Sequence, residues 1–414
     1  MSVRRPHSVT TCKGNEPVRD LGIGVISMGW MGRLHSTSYL AAPMRYPDLG
    51  VRTRLVHAAD PVPEAREYAA TQLGFVRTSA DYRDLLADPE VDVVSICSPN
   101  FLHKEIALAA AAAGKPFWIE KPMGVSADES AQIARAAAAA GVVTSVGFNY
   151  RHAPAVARAR QLIRDGALGR VTNIRVWLIA DYASAHDGPL TWRYDRARAG
   201  SGVVGDLMSH GMDLAQFLVG RIASVTALSS TFIEERPIPT KVGVGHGGFE
   251  IGDERGPVEN EDYVGILARF DNGVVGTLES SRVSIGPRSE YVIEVYGTAG
   301  SIRWNFEKLN ELQTCLVSTT GNGPEHGYTT ALAGPRHGDF ARFQPGPGVP
   351  MGFDDLKVVE AQLFLRSVHT QAQLAPSASD GWAAAAAADA AVASAADGQW
   401  HPVPRVDGTT TYDA

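Results

Sequence analysis

The stretch LGIGVISMGWMG, Leu21–Gly32, decides the fold. Its apolar first half predicts a buried strand, and its glycines predict a tight turn that opens a helix. A dinucleotide-binding turn uses one glycine to turn, one to let a pyrophosphate approach the backbone, and one where helix and strand touch. Gly29 and Gly32 fill the last two positions, and Ser27 stands at the first. The match is partial, but its context predicts cofactor contacts from Ser27, Met28, Gly29, Trp30 and Met31.

Residues 19–150 alternate between apolar runs and helical patterns. This alternation predicts a parallel sheet with helices on both faces, because parallel strands need a crossover that is usually a helix. We therefore expect a doubly wound, Rossmann-type dinucleotide-binding domain over 19–150, preceded by a flexible polar tail over 1–18. The predicted strands are 21–27, 55–60, 91–98, 116–120 and 142–148, and the predicted helices are 31–42, 63–73, 102–113 and 127–139.

After residue 150 the pattern changes. Successive β-rich segments without intervening helices predict a C-terminal α/β domain, 151–414, with a mostly antiparallel open sheet. Two stretches rich in Gly and Pro, 236–257 and 321–350, are expected to be long loops. The predicted strands are 171–180, 223–234, 263–270, 273–281, 291–296, 301–306 and 311–317, and the predicted helices are 154–165, 206–218, 354–371 and 380–397.

The composition is that of a globular, water-soluble chain. With 414 residues, 44% of them hydrophobic, the chain can bury two cores. A net charge of −7 gives no electrostatic reason to bind nucleic acid or an anionic membrane. The three cysteines lack the spacing of a disulfide framework or a metal site, and no segment is typical of a secretory signal or a membrane span. We expect a cytoplasmic protein.

Asp60 ends the second predicted strand, where dinucleotide folds place an acidic residue for the ribose hydroxyls. Its carboxylate would repel a 2′-phosphate, and no arginine directly follows it to hold one. NAD is therefore favoured over NADP. The alternative is that Asp60 only caps the helix beginning near residue 63.

Two later strand ends place polar residues at the same edge of the sheet, where ligands of open α/β sheets bind. Ser98 and Asn100 can hydrogen-bond a nicotinamide ribose, whereas for His103 a structural role near a helix start is the favoured alternative. Lys121 precedes a proline, and its position at this edge favours function over a surface ion pair. The candidate cofactor contacts here are Ser98, Pro99, Asn100, His103, Glu120 and Lys121.

Asp206, His210 and Asp213 lie on one stripe of a predicted helix, next to an apolar stripe that must face the core. This places the three polar side chains at the border of a cleft. A satisfied core histidine is the usual explanation of a lone His, but the flanking acids and the glycine-rich segment 200–205 argue against it. A metal site is conceivable, but no further His or Cys stands at ligand spacing, and we predict none.

The ordered motifs resemble those of the glucose-fructose oxidoreductase, inositol dehydrogenase and rhizopine catabolism (Gfo/Idh/MocA) family over residues 21–401. The resemblance implies NAD(P)-dependent oxidation or reduction of sugars and cyclitols, and dimers or tetramers formed through the C-terminal sheet. It also implies that Lys121, Asp206 and His210 are catalytic, whereas Ser27 departs from the family's glycine. The motifs are MG-x-x-His35, SPN-x-x-His103, EKP at 120–122, Trp192-Arg193-Tyr and GD-xxx-His210-xx-Asp213, with Trp192 and Arg193 in the cofactor-facing loop.

Within the family, the sequences FNYRxxPAV at 148–156 and PLTWRY at 189–194 resemble the levoglucosan dehydrogenase branch, which oxidises C3 hydroxyls of glucosides. We expect a neutral sugar, glycoside or cyclitol, because the nearby basic residues are single and spread out. Asn149 is a candidate pocket residue at the domain junction and also a candidate cofactor contact. Arg151 and Arg282 could instead pair with acids. The candidate substrate contacts are Lys121, Tyr150, Arg151, Asp206, His210, Arg282 and His337, with Asp181, Trp192 and Asp213 as further pocket candidates.

These residues predict a mechanism for oxidising a secondary alcohol, which needs a base, a hydride acceptor and a positive group for the developing alkoxide. We assign His210 as base, nicotinamide as acceptor and Lys121 as the cation, with Asp206 orienting the substrate. The same groups could reduce a ketone in reverse. Two other classes of protein are alternatives: a non-catalytic NAD-binding sensor, and a metal hydrolase that uses Asp206, His210 and Asp213.

Overall fold

The computed structural model describes residues 18–241, 249–321 and 326–412. The predicted tail over 1–18 therefore lies almost wholly outside the described residues. The N-terminal part alternates strands and helices in this order: β1 Arg19–Ile26, α1 Trp30–Arg45, β2 Val51–Ala59, α2 Pro63–Tyr68, β3 Arg77–Ser79, α3 Tyr82–Ala87, β4 Val93–Ile96, α4 Asn100–Ala112, β5 Phe117–Ile119, α5 Ala127–Ala140 and β6 Thr144–Val146.

The first six strands form one parallel sheet in the order β3-β2-β1-β4-β5-β6. Leu21, Ile23 and Val25 of β1 are fully buried, as expected of a central strand that is covered on both faces. The predicted doubly wound parallel sheet is confirmed. The sequence did not predict β3 and α3, because β3 is a three-residue edge strand without a buried side chain.

The C-terminal part contains these elements: α6 Pro154–Arg164, β7 Val171–Ala180, α7 Arg196–Ala199, α8 Ser209–Val219, β8 Ile222–Ser230, β9 Glu235–Lys241, β10 Glu250–Pro257, β11 Tyr263–Phe270, β12 Val275–Ser281, β13 Ser289–Gly297, β14 Gly300–Asn305, β15 Glu311–Leu316, α9 Val317–Thr320, β16 Thr329–Leu332, α10 Phe340–Phe343, α11 Phe353–Thr370, α12 Ala378–Asp397 and β17 His401–Pro402.

Nine of these strands form a mixed sheet in the order β16-β15-β14-β13-β7-β12-β11-β8-β17. All its pairs are antiparallel except β7 with β12, so the predicted mostly antiparallel sheet is confirmed. The predicted loop over 236–257 is wrong, because β9 and β10 pair there as a separate two-stranded sheet. The predicted loop over 321–350 also contains β16 and α10.

The last two helices join the two sheets. Helix α11 packs against α1 of the parallel domain, and α12 packs against both α5 and β8. The carboxyl end of β5 lies close to the start of α8, because Lys121 just after β5 hydrogen-bonds Asp206 just before α8. Within the described ranges, no helix combines the length and the apolar character needed to cross a membrane.

Candidate active site

The glycine turn after β1 leaves room for a ligand at the start of α1. Ser27 has a φ of 72°, in the left-handed region that favours glycine. A Cβ on Gly32 would lie 1.9 Å from the Ser27 carbonyl oxygen, whereas a Cβ on Gly29 would meet nothing within 4 Å. Because α1 begins at Trp30, the positive end of this helix borders the open space and can hold a pyrophosphate.

Asp60 holds the glycine turn in place. Its Oδ2 accepts a hydrogen bond from the Met28 backbone N–H at 2.7 Å, and its Oδ1 accepts one from the Val62 N–H at 2.8 Å. The side chain is buried. The carboxylate therefore orders the turn and the backbone before α2. It does not cap α2, because the N-cap residue of that helix is Val62 and the helix start has no side-chain cap. The contact of the Asp60 carboxylate with a ribose stays a prediction.

The segment after β4 lies beside the segment after β5. The His103 ring nitrogens lie 2.8 Å from the Ser98 carbonyl oxygen and 2.9 Å from that of Pro122. His103 is buried and links these two segments, which is the structural alternative at this position, and its predicted cofactor contact stays a prediction. The buried Ser98 hydroxyl has no hydrogen-bond partner within the described part of the chain. Ser98 is therefore available to a cofactor, beside Pro99 and the first residue of α4, Asn100.

Lys121 and Asp206 form the charged pair of the site. Lys121, which follows β5, donates from Nζ to the Asp206 carbonyl oxygen at 2.7 Å and to its Oδ1 at 3.1 Å. Burial alone would raise the pKa of Asp206, but the positive charges of Lys121 and Arg193 outweigh it and lower that pKa below its usual range. Asp206 stands in a π-helical turn over 204–208 that leads into α8, and such turns recur at functional sites.

Tyr182 completes this pair and was missed by the sequence analysis. Its hydroxyl donates to Asp206 Oδ2 at 2.8 Å, so the two carboxylate oxygens are held by different partners. Tyr182 follows β7, and 42% of its surface is exposed. Tyr182 lies outside the family motifs, and its one sequence signal is its position beside the candidate Asp181.

His210 lies one turn beyond Asp206, as the spacing predicted. Its ring centroid lies 4.4 Å from that of Tyr150. Burial, and after it the positive charge of Lys121, holds the pKa of His210 well below its usual 6.5. The imidazole is therefore neutral near pH 7 and can accept a proton.

Glu120 belongs to a buried cluster beneath the site. Its Oε1 lies 3.0 Å from His35 Nε2 and 2.5 Å from Lys357 Nζ of α11, and Lys357 also pairs with Glu360. Burial alone would raise the pKa of Glu120, but Lys357 and His35 lower it below its usual range. The Glu120 carboxylate binds other protein side chains inside the structure, and its predicted cofactor contact stays a prediction.

Two arginines predicted to bind substrate are instead neutralised in the interior. Arg151 pairs with Asp213 through two hydrogen bonds, and both side chains are 2% exposed. Arg282 Nε donates to Asp262 Oδ1 at 2.7 Å, and this pair is buried as well. Arg151 and Arg282 therefore form the ion pairs that were the alternative at these positions, and their predicted substrate contacts stay predictions. Asp213 is buried and does not lie at the border of a cleft.

The remaining candidates divide between the site and its surroundings. The Asn149 Nδ2 is buried without a hydrogen-bond partner in the described ranges, so a ligand can accept from it. The Arg193 guanidinium lies 4.6 Å from the centroid of the Trp192 ring, and its charge acts on Asp206. His337 accepts from the backbone N–H of Gly334 within its own loop, and among the described residues no hydrogen bond or ion pair joins it to Lys121, Asp206 or His210.

These features test whether a nicotinamide dinucleotide fits. The open glycine turn suits a pyrophosphate, and the unpartnered amide of Asn149 and hydroxyl of Ser98 suit polar groups at the other end of such a cofactor. Among the described residues, no group of three or more His, Cys, Asp or Glu side chains could hold a metal ion. A Rossmann sheet with a lysine and a neutral histidine at its carboxyl edge defines the class of nicotinamide-dependent oxidoreductases.

Comparisons with known proteins agree with this class. Residues 21–148 match the oxidoreductase family with an NAD-binding Rossmann fold, and residues 156–303 match the GFO/IDH/MocA C-terminal domain. The chain belongs to the Gfo/Idh/MocA family of oxidoreductases. The family and the NAD cofactor predicted from the sequence are confirmed.

Individual relatives are similar over nearly the whole chain. A levoglucosan dehydrogenase of Pseudarthrobacter phenanthrenivorans is 37% identical, over 94% of this chain and 100% of that protein. An inositol 2-dehydrogenase of Rhizobium meliloti is 27% identical, over 90% of this chain and 96% of the relative. A solved levoglucosan dehydrogenase in complex with NADH and levoglucosan matches with a TM-score of 0.87 and 36% identity, over 94% of this chain and 100% of that one.

Proposed function

We propose that this protein is an NAD-dependent dehydrogenase that oxidises a ring secondary hydroxyl, of C3 type, in a neutral sugar, glycoside or cyclitol. The observation that carries the proposal is the hydrogen-bonded Lys121–Asp206 pair with the neutral His210 one helical turn away. The names of the similar proteins, a levoglucosan dehydrogenase and an inositol 2-dehydrogenase, support this substrate class.

The roles of the side chains follow from their charges. His210 takes the proton of the substrate hydroxyl, because its low pKa leaves the imidazole neutral. The Lys121 ammonium stabilises the oxygen as negative charge develops on it. Asp206 keeps Lys121 in position and can accept a hydrogen bond from the sugar. When bound, NAD supplies the hydride acceptor. In reverse, the same side chains would serve the reduction of a ketone.

The pairing of the arginines supports an uncharged substrate. Arg151 and Arg282 were the pocket cations suggested by the sequence, and buried carboxylates neutralise both. A sugar phosphate needs free cations that match its oxygens. A pyranose or cyclitol needs mainly hydrogen-bonding groups, and Tyr182, Asn149 and Asp206 provide them.

We also propose that this protein is cytoplasmic and that it forms a homodimer or homotetramer through the nine-stranded sheet. Leu228, Leu267 and Val275 project from β8, β11 and β12 and are 61%, 51% and 52% exposed. Paired strands bring these apolar side chains onto the same face of the sheet. Size-exclusion chromatography with light scattering tests the contact, and a monomer at micromolar concentration would contradict it.

The activity is tested by a screen of neutral sugars, glycosides, cyclitols and sugar phosphates with NAD, followed by NADH absorbance. We expect NADH formation with one or more neutral compounds. Identification of the keto product by NMR then shows which carbon is oxidised. Activity only on phosphorylated or nucleotide-linked sugars would contradict the neutral pocket but leave the dehydrogenase class standing.

A further inference from the structure

A row of aromatic rings runs from His210 to the surface beside the glycine turn. The ring centroid of Tyr150 lies 4.4 Å from that of His210 and 4.9 Å from that of Phe306. Phe306 contacts Phe353 edge-on at 6.3 Å, and Phe353 stacks with Trp30 at 5.7 Å. Four residues from distant parts of the sequence thus form one apolar wall that begins at the proposed base.

The exposure of the rings increases along the wall from Tyr150 to the surface. Tyr150 is buried, Phe306 and Phe353 are half-buried, and the outermost ring, Trp30, is 62% exposed. Phe353 and Trp30 are the first residues of α11 and α1, so two helix starts hold the outer rings. A contiguous set of partly exposed aromatic rings beside a polar site is typical of a ligand surface, whereas a single exposed ring needs no explanation.

The wall also borders the charged pair. Tyr291 stacks with Phe306 at 5.6 Å between centroids. Burial, and after it the negative charge of Asp206, raises the pKa of Tyr291 to about 12. The aromatic rings and the Asp206 carboxylate are therefore close enough to share one cleft.

We infer that Phe306 and Phe353 form a subsite for an aromatic aglycone of a glycoside whose sugar ring reaches Asp206 and His210. Trp30, a predicted cofactor contact, lies at the border between this subsite and the glycine turn. This inference rests on the proposed function and narrows its substrate class. The inner end of the wall has the polar groups that a sugar needs. The outer end has rings that can stack with an aryl group. An anhydrosugar such as levoglucosan has no aglycone and would leave the outer rings without a partner.

The inference is tested by comparing kcat/KM for phenyl glucosides, methyl glucosides and levoglucosan at saturating NAD, with both anomers of each glucoside. We expect the phenyl glucoside of the accepted anomer to exceed its methyl counterpart by about tenfold, as one good ring contact provides. In Phe353→Ala and Phe353→Leu this ratio should fall to about two. The matched control is Trp400→Ala, which removes a 41% exposed ring that packs under Arg269 and should leave the ratio unchanged.

The outcomes separate the two proposals. If methyl glucoside or levoglucosan has a kcat/KM equal to that of phenyl glucoside, the aglycone subsite is wrong and the proposed function stands. If none of the sugars is oxidised, the proposed function fails and the subsite fails with it. If both Phe353 variants keep the ratio but raise the KM for NAD, the wall belongs to the cofactor, which also overturns the inference. The Leu variant keeps apolar packing, so a folding defect in the Ala variant does not block the test.

Discussion

Glu120 and Lys121 are neighbours in sequence, but Glu120 belongs to a buried ion pair and Lys121 to an accessible one. The Glu120 side chain is 9% exposed and pairs with Lys357, which is 1% exposed. The Lys121 side chain is 18% exposed and pairs with Asp206, which is 35% exposed. The Glu120–Lys357 pair is buried, whereas Lys121 and Asp206 are accessible and can replace their mutual hydrogen bond with bonds to a substrate.

The difference shows how the chain fixes a reactive lysine. Lys357 lies 237 residues after Glu120 and brings α11 of the C-terminal part onto the end of β5. Glu120 Oε2 in turn accepts from the backbone N–H of Lys121 at 3.3 Å. The buried pair therefore positions the backbone from which the accessible lysine extends.

Breaking the buried pair should have the largest effect on stability. Lys357→Met leaves the Glu120 carboxylate buried without its main cation, and we expect a loss of about 3–5 kcal/mol in the free energy of unfolding. Denaturant titration measures this loss. Lys241→Met is the control, because the Lys241–Glu250 pair has side chains 67% and 68% exposed and should contribute less than about 1 kcal/mol. Equal losses in both variants would contradict the contrast between the pairs.

A second prediction concerns cofactor choice at Asp60. If its carboxylate also contacts ribose hydroxyls, Asp60→Ala should lower the ratio of NAD to NADP affinity about tenfold, the scale of one charged hydrogen bond. Fluorescence titration with both cofactors measures the ratio. Asp92→Ala removes another carboxylate that accepts from a β1 backbone N–H, that of Gly22 at 2.6 Å, and should not change the ratio. An unchanged ratio of NAD to NADP affinity in Asp60→Ala would show that Asp60 only holds the glycine turn.

A smaller effect is expected at Tyr182. Tyr182→Phe removes the hydrogen bond to Asp206 Oδ2, and we expect kcat/KM for the sugar to fall about fivefold while the affinity for NAD stays the same. Tyr328→Phe removes the hydroxyl that contacts Ser301 and serves as the control. A wild-type kcat/KM in Tyr182→Phe would show that the Tyr182 hydroxyl has no role in the oxidation of the sugar.

The smallest expected effect is a shift in the titration of His210. Its imidazole should stay neutral until the pH falls well below 6.5, because burial and the Lys121 charge lower its pKa. In Lys121→Met the positive charge is gone, so the pKa should rise toward 6.5 without reaching it, since burial remains. NMR titration of the His210 ring protons checks this sign, and a lower pKa in the variant would contradict it.

The sequence predicted the parts of the site that local patterns determine. Lys121 follows an apolar strand, and Asp206 and His210 are one helical turn apart, so the position of each on its own element could be inferred from local patterns. Their shared catalytic role was implied by the family resemblance. The sequence did not predict Lys357 or Tyr182, because their roles depend on contacts between distant segments. For Arg151 and Arg282, the sequence left open whether acids pair with them, and the structure shows that buried carboxylates do.

The outer parts of the fold were less predictable for a similar reason. The β9–β10 hairpin lies in a Gly- and Pro-containing segment whose strands pair only with each other, so no core imposes a hydrophobic alternation on them. The short edge strand β3 has no buried side chain. The central strands, which are buried on both faces, were found because their apolar runs are continuous.

Lys121 and His210 together are proposed to carry out the proton chemistry of sugar oxidation with NAD. The turnover of Lys121→Ala and His210→Ala on the best neutral substrate tests this role, with folding checked by thermal unfolding. We predict kcat lower by about 10²-fold or more in each variant, with the melting temperature nearly unchanged for Lys121→Ala because its pair is accessible. Near wild-type turnover in both variants would show that neither side chain takes part in the proton transfer.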